Sequence, residues 1–204
     1  MNKFYIVSGV LITIIILCLS FFRDTTKIVN YPSSGTTIVA FGDSLVEGVG
    51  STKGNDFVSL LSDTTGESIQ NLGVSGDTTR DGLARVDEVL NLKPKIVLLL
   101  LGGNDYIKKI PKEETFSNLE KIITQIQEEG SIVILLGVRG GVIRDEYKDD
   151  YKALAKKTGS AYVPNVLEGL FGRSNLMYDA IHSNDAGYKI IAERVEPVLL
   201  ELLK

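Results

Sequence analysis

The feature that most constrains the fold is a series of short strand-like segments that alternate with segments of helical spacing. The run Lys95–Leu101 is apolar almost throughout rather than alternating, as is typical of a strand covered on both faces of a parallel sheet. Further strands are predicted over residues 37–41, 67–72, 131–137 and 160–163. Strands that alternate with helices favour a parallel sheet joined by right-handed crossovers. The pattern therefore predicts an α/β fold with a five-stranded parallel sheet.

Helices are predicted between these strands from the recurrence of apolar residues on one face. In the segment 115–129, for example, Leu119, Ile122 and Ile126 recur at helical spacing. The same reasoning predicts helices over residues 55–64, 80–90 and 145–157. A last helix is expected to run to Leu203, with Asn184 or Asp185 as its N-cap.

The amino terminus carries a different signal, because the 19 residues Phe4–Phe22 contain no charge. A helix of that length, at 1.5 Å per residue, can span a bilayer core of about 30 Å. The sequence therefore predicts a transmembrane helix at residues 1–23, which would attach the protein to a membrane, and a linker at residues 24–36. A cleaved signal peptide is the alternative, although its apolar part is usually about 7–15 residues long. Lipidation of Cys18 also stays open.

The domain is expected on the extracytoplasmic side of the membrane, or secreted after cleavage.

Composition excludes several other classes of protein. One Cys rules out an intrachain disulfide and a cysteine-ligated zinc cluster, and one His disfavours a metal site with several imidazoles. A net charge of -4 provides no basic surface for nucleic acid. No metal and no nucleic-acid partner are therefore expected.

Polar and glycine residues follow three of the predicted strands at the point where each strand ends. Gly42-Asp43-Ser44 follows the first, Asn71–Asp77 the second and Gly102–Asp105 the third. The chain's single histidine, His182, lies near the carboxyl end with Asp179 three residues before it. Open α/β sheets bind ligands beyond the carboxyl ends of their strands. We therefore expect these segments to meet in one site.

The chemistry that these residue types support is acyl transfer. A serine hydroxyl is a weak nucleophile until a neighbouring base takes its proton. An imidazole, with an ordinary pKa of about 6.5, is suited to act first as base and then as acid near neutral pH. A carboxylate beside it fixes the tautomer and stabilises the imidazolium. A glycosidase with paired carboxylates is conceivable among Asp43, Asp77, Asp105 and Asp179, but it does not explain the serine and the histidine.

In their order along the chain, these four blocks resemble the SGNH (GDSL-type) hydrolase superfamily. They are most similar to its small bacterial branch of arylesterases, thioesterases and lysophospholipases. The resemblance runs from Thr37 to the carboxyl terminus and implies a hydrolase domain at residues 37–204. It also implies a flavodoxin-like, three-layer α/β/α fold and a reaction without cofactors. The substrate would be a small-molecule or lipid ester.

The resemblance implies a role for each motif residue. Ser44 would be the nucleophile, His182 the general base and Asp179 its partner. The backbone N–H groups of Ser44 and Gly76 and the side-chain amide of Asn104 would form the oxyanion hole. Two carboxylates beside the site would hold the loops rather than react, namely Asp43 and Asp105.

The acyl site is expected between two loops, residues 138–143 and 167–177, where apolar residues lie outside the predicted helices and strands. Its candidate lining residues are Ile143, Leu170, Phe171 and Met177. Two alternatives to a general esterase stay open. One is an O-acetyl esterase acting on cell-envelope carbohydrate, and the other is a non-catalytic binding domain tethered to the membrane.

The chain departs from the family pattern at three positions. Ser183 follows the histidine where the family often has proline, so the rigidity of that loop is in question. Ala180 stands where glycine is common. Glu47 occupies a position near the nucleophile where small or polar residues are usual, and is expected to affect the choice of substrate.

Overall fold

A computed structural model describes residues 27–141 and 145–204 of the chain. The predicted transmembrane segment, residues 1–23, lies outside the described residues. Within the described ranges, no helix is both long enough and apolar enough to cross a membrane.

The sheet of the described domain has five parallel strands in the order β2-β1-β3-β4-β5. This is the flavodoxin-like order, as the family resemblance implied. The register pairs Gly42 of β1 with Gly73 of β2 and Leu100 of β3, so these three strands end level with one another. The strands are β1 Ile38–Gly42, β2 Ile69–Gly73, β3 Ile96–Leu100, β4 Ile132–Leu136 and β5 Ala161–Val163.

The helices lie in two layers with the sheet between them. Helix α2 packs against α8 in one layer, and α6 packs against α3 and α7 in the other. Every residue of β1, β3 and β4 is buried, which explains their continuous apolar composition. The helices are α1 Ser44–Glu47, α2 Phe57–Thr65, α3 Thr79–Ala84, α4 Asp87–Leu90, α5 Gly103–Ile107, α6 Lys112–Glu128, α7 Lys148–Thr158 and α8 Asp185–Leu202.

Two features of the helices differ from the sequence prediction. The segment 80–90 was predicted as one helix, but it divides at Arg85 into α3 and α4. At the break Arg85 has a non-helical backbone, and its side chain donates hydrogen bonds to the carbonyls of Gly42 and Leu72. The short helices α1 and α5 were not predicted, because four or five residues are too few to show a helical period.

The described part of the predicted linker packs on the amino-terminal edge of the sheet. The side-chain amide of Asn30 donates to the carbonyls of Gln127 (2.7 Å) and Ser131 (3.0 Å). The Val29 N–H donates to the Gly159 carbonyl (2.9 Å). Ser131 directly precedes β4 and Gly159 lies two residues before β5, so the chain enters the domain at the edge opposite to the strand-end motifs.

Candidate active site

Ser44 is placed at the carboxyl end of β1 by an abrupt change from strand to helix. Asp43 has an extended backbone and caps α1, because its Oδ1 accepts a hydrogen bond from the Leu45 N–H (3.0 Å). Ser44 is therefore the first residue of the helix, and it is 7% exposed. A Cβ at Gly42 would overlap the Leu100 carbonyl and the Val46 side chain. The tight return of α1 onto the sheet thus requires glycine at that position.

The structure brings Ser44, His182 and Asp179 into one hydrogen-bonded chain. The Nε2 atom of His182 lies 3.0 Å from the Ser44 Oγ, and its Nδ1 lies 2.7 Å from Asp179 Oδ2. The other carboxylate oxygen of Asp179 accepts from the N–H groups of Ile181 (2.8 Å) and His182 (2.7 Å). Base and nucleophile are thus within hydrogen-bonding reach, and the base is oriented by a third group.

Asp179 is held in its ionised form. Its partial burial raises the pKa. The hydrogen bonds from the His182 ring and from the N–H groups of Ile181 and His182 lower the pKa by more, so that the net value is about 2. The carboxylate therefore stays negative at any pH near neutrality. It can accept the Nδ1 proton and stabilise a positive charge on the ring.

The loop that carries His182 is fixed by backbone pairing. The Tyr178 N–H donates to the His182 carbonyl (2.9 Å), and the Asn184 N–H donates to the Leu176 carbonyl (3.0 Å). Asn184 then caps α8 by accepting from the Gly187 N–H (3.1 Å). Ser183, which stands where proline is common in the family, is fully buried within this pairing. The strand-like bridge constrains the loop without a proline.

Gly76 lies in a tight turn after β2. The Asp77 N–H donates to the Val74 carbonyl (3.2 Å), and Gly76 at the third position has a φ of 86°. Ser75 does not have a positive φ, so the turn is of type II, which requires a positive φ at the third position. In the described part of the chain the Gly76 N–H donates no hydrogen bond. It is therefore available to an incoming oxygen.

The other two predicted donors lie on short helices. The Ser44 N–H is the first of α1 and has no partner within that helix. The amide of Asn104 on α5 donates one hydrogen bond to the Asp77 carbonyl (2.9 Å), which leaves its second N–H for a ligand. Asn104 thereby connects α5 to the turn that contains Gly76.

Asp105 also joins segments of the site. It is fully buried and accepts from the Thr79 N–H (2.9 Å), the Thr79 hydroxyl (2.6 Å) and the Thr115 hydroxyl (3.2 Å). These bonds connect α5 to α3 and α6.

A cavity of about 140 Å³ opens beside Ser44, Asn104 and His182. Phe171 lines it, whereas Leu170 is fully buried in the core and Met177 lies outside the lining. Ile143 lies outside the described residues. Val138 and Leu167 in the wall lie in the two loops from which the acyl site was expected. Tyr106, Ile107 and Ile181 were not singled out, because loops and short helices have no periodic pattern. The apolar residues of that wall include Leu45, Tyr106, Ile107, Val138, Leu167 and Ile181.

Two further expectations concern Glu47 and metal binding. Glu47 does not line the cavity. Its carboxylate instead accepts a hydrogen bond from the Ser75 N–H (2.7 Å). Across the described ranges, no three side chains of His, Cys, Asp or Glu are grouped in a way that could hold a metal ion.

Comparison with known proteins identifies the family. The sequence profile of the GDSL-like lipase/acylhydrolase family matches residues 40–190. The chain belongs to this family. The chain is similar to the esterase TesA of Pseudomonas aeruginosa, with 31% identity over 84% of the chain and 91% of the length of TesA. The arylesterase of Vibrio mimicus is 32% identical over 81% of the chain and 89% of its own length.

A third relative is thioesterase 1/protease 1/lysophospholipase L1 of Escherichia coli K12. It is 28% identical over 79% of the chain and 82% of its own length. Among solved structures, the crystal structure of TesA superposes with a TM-score of 0.72 at 31% identity. That match covers 81% of this chain and 99% of TesA. The structural match to TesA and the match to the family profile therefore both extend over most of the described domain.

Asp43 lies buried beside this site, and its protonation is expected to affect stability. Burial raises its pKa to about 7, aided by the charges of Asp77 and Asp105, although the Leu45 N–H and His182 oppose the shift. In the unfolded chain an aspartate titrates near 3.9. The folded state therefore binds the extra proton between about pH 4 and 7, and stability falls as the pH rises through that window.

We expect the stability that Asp43→Asn gains over the wild type to grow between about pH 4 and pH 7 and to level off above that, because Asn keeps the cap but cannot ionise. Each pH unit in the window is worth up to about 1.4 kcal/mol. Urea unfolding at several pH values measures this. Asp81→Asn is a control that should destabilise the protein by an amount that stays constant over this range, because hydrogen bonds from Thr78 lower the pKa of Asp81 below its ordinary value near 3.9. A gain from Asp43→Asn that did not vary with pH would contradict the prediction.

Proposed function

We propose that this GDSL family member is a serine esterase that hydrolyses carboxylic ester or thioester bonds through an acyl-enzyme. The observation that carries the proposal is the continuous hydrogen-bonded chain from the Ser44 Oγ through the His182 ring to the Asp179 carboxylate. The names of the relatives, which include an esterase and an arylesterase, support the same reaction class.

The proposed reaction has two halves. His182 Nε2 takes the proton of the Ser44 hydroxyl as Oγ attacks the carbonyl carbon, and the carbonyl π electrons move onto oxygen. As the carbonyl re-forms, the bond to the leaving group breaks, and His182 gives its proton to the departing alcohol or thiol. A water molecule, deprotonated by His182, then attacks the acyl-serine and releases the acid. Asp179 stays ionised throughout, in keeping with its lowered pKa.

The tetrahedral intermediates need donors for the negative oxygen. The N–H groups of Ser44 and Gly76 and the free N–H of Asn104 are proposed to supply them. Such donors are held by the protein before reaction, so they stabilise the developing charge without reorganisation.

The cavity limits the group that can bind next to Ser44. An apolar cavity of about 150 Å³ accommodates benzene, and the cavity here measures about 140 Å³. A short acyl chain or an aryl group therefore fits within it. A longer chain would have to extend over Ile107 and Ile181, which are 56% and 42% exposed at the rim. We therefore propose short-chain and aryl esters as the preferred substrates.

We also propose that Phe4–Phe22 anchors the enzyme to a membrane with the catalytic domain on the extracytoplasmic side. The uncharged length of the segment supports this.

Loss of the nucleophile tests the esterase proposal. Ser44→Ala is expected to lower kcat for p-nitrophenyl acetate and butyrate by at least about 10³-fold, because the acyl-enzyme can no longer form. Ser174→Ala, a change of the same size at an exposed position, should leave kcat unchanged. The panel should also contain an acyl thioester, a lysophospholipid and an acetylated polysaccharide. Turnover that survives Ser44→Ala would exclude the proposed mechanism, and turnover confined to the polysaccharide would favour an envelope O-acetyl esterase.

The backbone donor can be tested without disturbing side-chain packing. Gly76→Ala is expected to lower kcat by about 10²–10³-fold, since a positive φ is unfavourable for alanine and a turn without it directs the N–H elsewhere. A Cβ at Gly76 would meet no neighbouring atom. Gly130→Ala is the matched control, because Gly130 has the same φ of 86° and equally open surroundings. Both variants should lose similar stability, and equal activity in the two would count against the donor role.

Membrane attachment can be tested with the full-length chain. We expect it to remain with the membrane fraction after extraction at alkaline pH, whereas a chain lacking residues 2–23 should be released. Release of the full-length chain would contradict the anchor. Degradation of the domain by protease added outside intact cells would establish its side of the membrane.

A further inference from the structure

The turn that contains Gly76 is held from two sides by charged side chains. Glu47 Oε2 accepts from the Ser75 N–H at 2.7 Å, and Lys108 Nζ donates to the Gly76 carbonyl at 2.8 Å. Glu47 is the last residue of α1, the helix that begins with Ser44. Lys108 is the C-cap of α5, the helix that carries Asn104. The two side chains thus connect the turn to the two helices that carry the other proposed donors.

The two bonds act on the peptide groups that flank the Gly76 N–H. The turn's own hydrogen bond uses the Val74 carbonyl and the Asp77 N–H, so the Ser75 N–H and the Gly76 carbonyl are left for other partners. Each belongs to a planar peptide group. The peptide group between Ser75 and Gly76, which carries the donor N–H, lies between them. Fixing both neighbours therefore fixes where this N–H lies relative to Ser44.

Packing alone does not hold the turn in place. Val74 is 44% exposed, Ser75 is exposed, and the space beside Gly76 is open. Glycine also adopts positive and negative φ with similar ease, so the central peptide can rotate and turn its N–H away. Hydrogen bonds that involve an ionised partner are stronger than neutral ones. Two of them on this turn favour the arrangement that the oxyanion hole needs.

We propose, on the basis of the esterase function proposed above, that Glu47 and Lys108 are positioning residues that hold the Gly76 N–H in the oxyanion hole. Neither side chain lines the cavity. They therefore act on the stabilisation of the intermediate and not on recognition of the acyl group. For Glu47 this replaces the sequence-based expectation of an effect on substrate choice.

Replacement of either side chain should lower kcat and leave KM within about twofold. For Glu47→Ala and Lys108→Met we expect a loss of about tenfold each, a part of the 10²–10³-fold that one oxyanion donor contributes. Glu47→Gln and Lys108→Arg keep an acceptor and a donor, and should retain most of kcat. Glu129→Ala and Lys109→Met remove the same charges at exposed positions and should have no effect. A higher KM with an unchanged kcat would overturn the proposal. A change in the order in which the enzyme prefers its substrates would also overturn it.

A double-mutant cycle separates positioning from a general effect on the fold. If both side chains act through the Gly76 N–H, Glu47→Ala should cause no further loss of kcat in a Gly76→Ala background. A full additional tenfold loss in that background would overturn the proposal.

Failure of the proposed function can be distinguished from failure of this inference. Wild-type protein without Ser44-dependent turnover would refute the esterase function. Wild-type turnover with an unchanged kcat in Glu47→Ala would refute the positioning role alone. Amide hydrogen exchange at Ser75 and Asp77, whose N–H groups donate to Glu47 and to the Val74 carbonyl, can be followed by NMR and needs no substrate. Faster exchange in Glu47→Ala than in Glu47→Gln would support the hold on the turn, and equal rates would refute it.

Discussion

The site depends on the guanidinium of Arg85, which joins the ends of two strands to the turn that follows them. Its Nη2 donates to the carbonyls of Gly42 (2.9 Å) and Leu72 (3.1 Å), and its Nε donates to Asp77 (2.6 Å). The Arg85–Asp77 pair is largely buried, and the guanidinium lies 4.3 Å from the centre of the Phe41 ring. A buried charge is tolerated when it is paired and fully hydrogen-bonded. These contacts of Arg85 hold the strand ends that lead to Ser44 and to the turn that contains Gly76.

The effect extends to the third motif through the backbone. The carbonyl of Asp77 accepts a hydrogen bond from Asn104. Asp77 therefore pairs with Arg85 through its side chain and positions Asn104 through its main chain. The histidine loop is positioned by a different contact. Asp185, the first residue of α8, accepts hydrogen bonds from the N–H and the hydroxyl of Thr52, both at 2.7 Å.

The parts of the fold that sequence predicts well are those where burial leaves a repeating pattern. Strands β1, β3 and β4 are buried at every residue, so their composition alone reveals them. Helix α6 shows a clear period, although it begins at Lys112, three residues before the predicted start, after Pro111. The contacts of Arg85 at the division between α3 and α4 could not be predicted, because its partners are carbonyls of two strands that are distant in sequence.

The same distinction applies to the site. Residues in the four motifs could be named because strand ends in a parallel sheet converge, and the structure does bring Ser44, His182 and Asn104 to one cavity. The cavity wall depends on how loops pack, and neither Tyr106 nor Ile181 belongs to a periodic segment. The contacts of Glu47 and Lys108 are equally hidden, since an exposed charged residue near a short helix has no pattern that indicates its partner.

The position at which the chain enters the domain bears on how substrates reach the cleft. Residues 27–36 pack at the amino-terminal edge of the sheet, where Gly35 lies against Lys95 and Asn30 binds carbonyls before β4. Ser44 and its partners lie at the carboxyl-terminal edge, beyond the opposite ends of the same strands. The rim formed by Ile107 and Ile181 thus lies at the carboxyl ends of the strands, and this segment lies at their amino ends. An attachment made through the amino terminus would therefore leave the cleft open to substrates that arrive from solution.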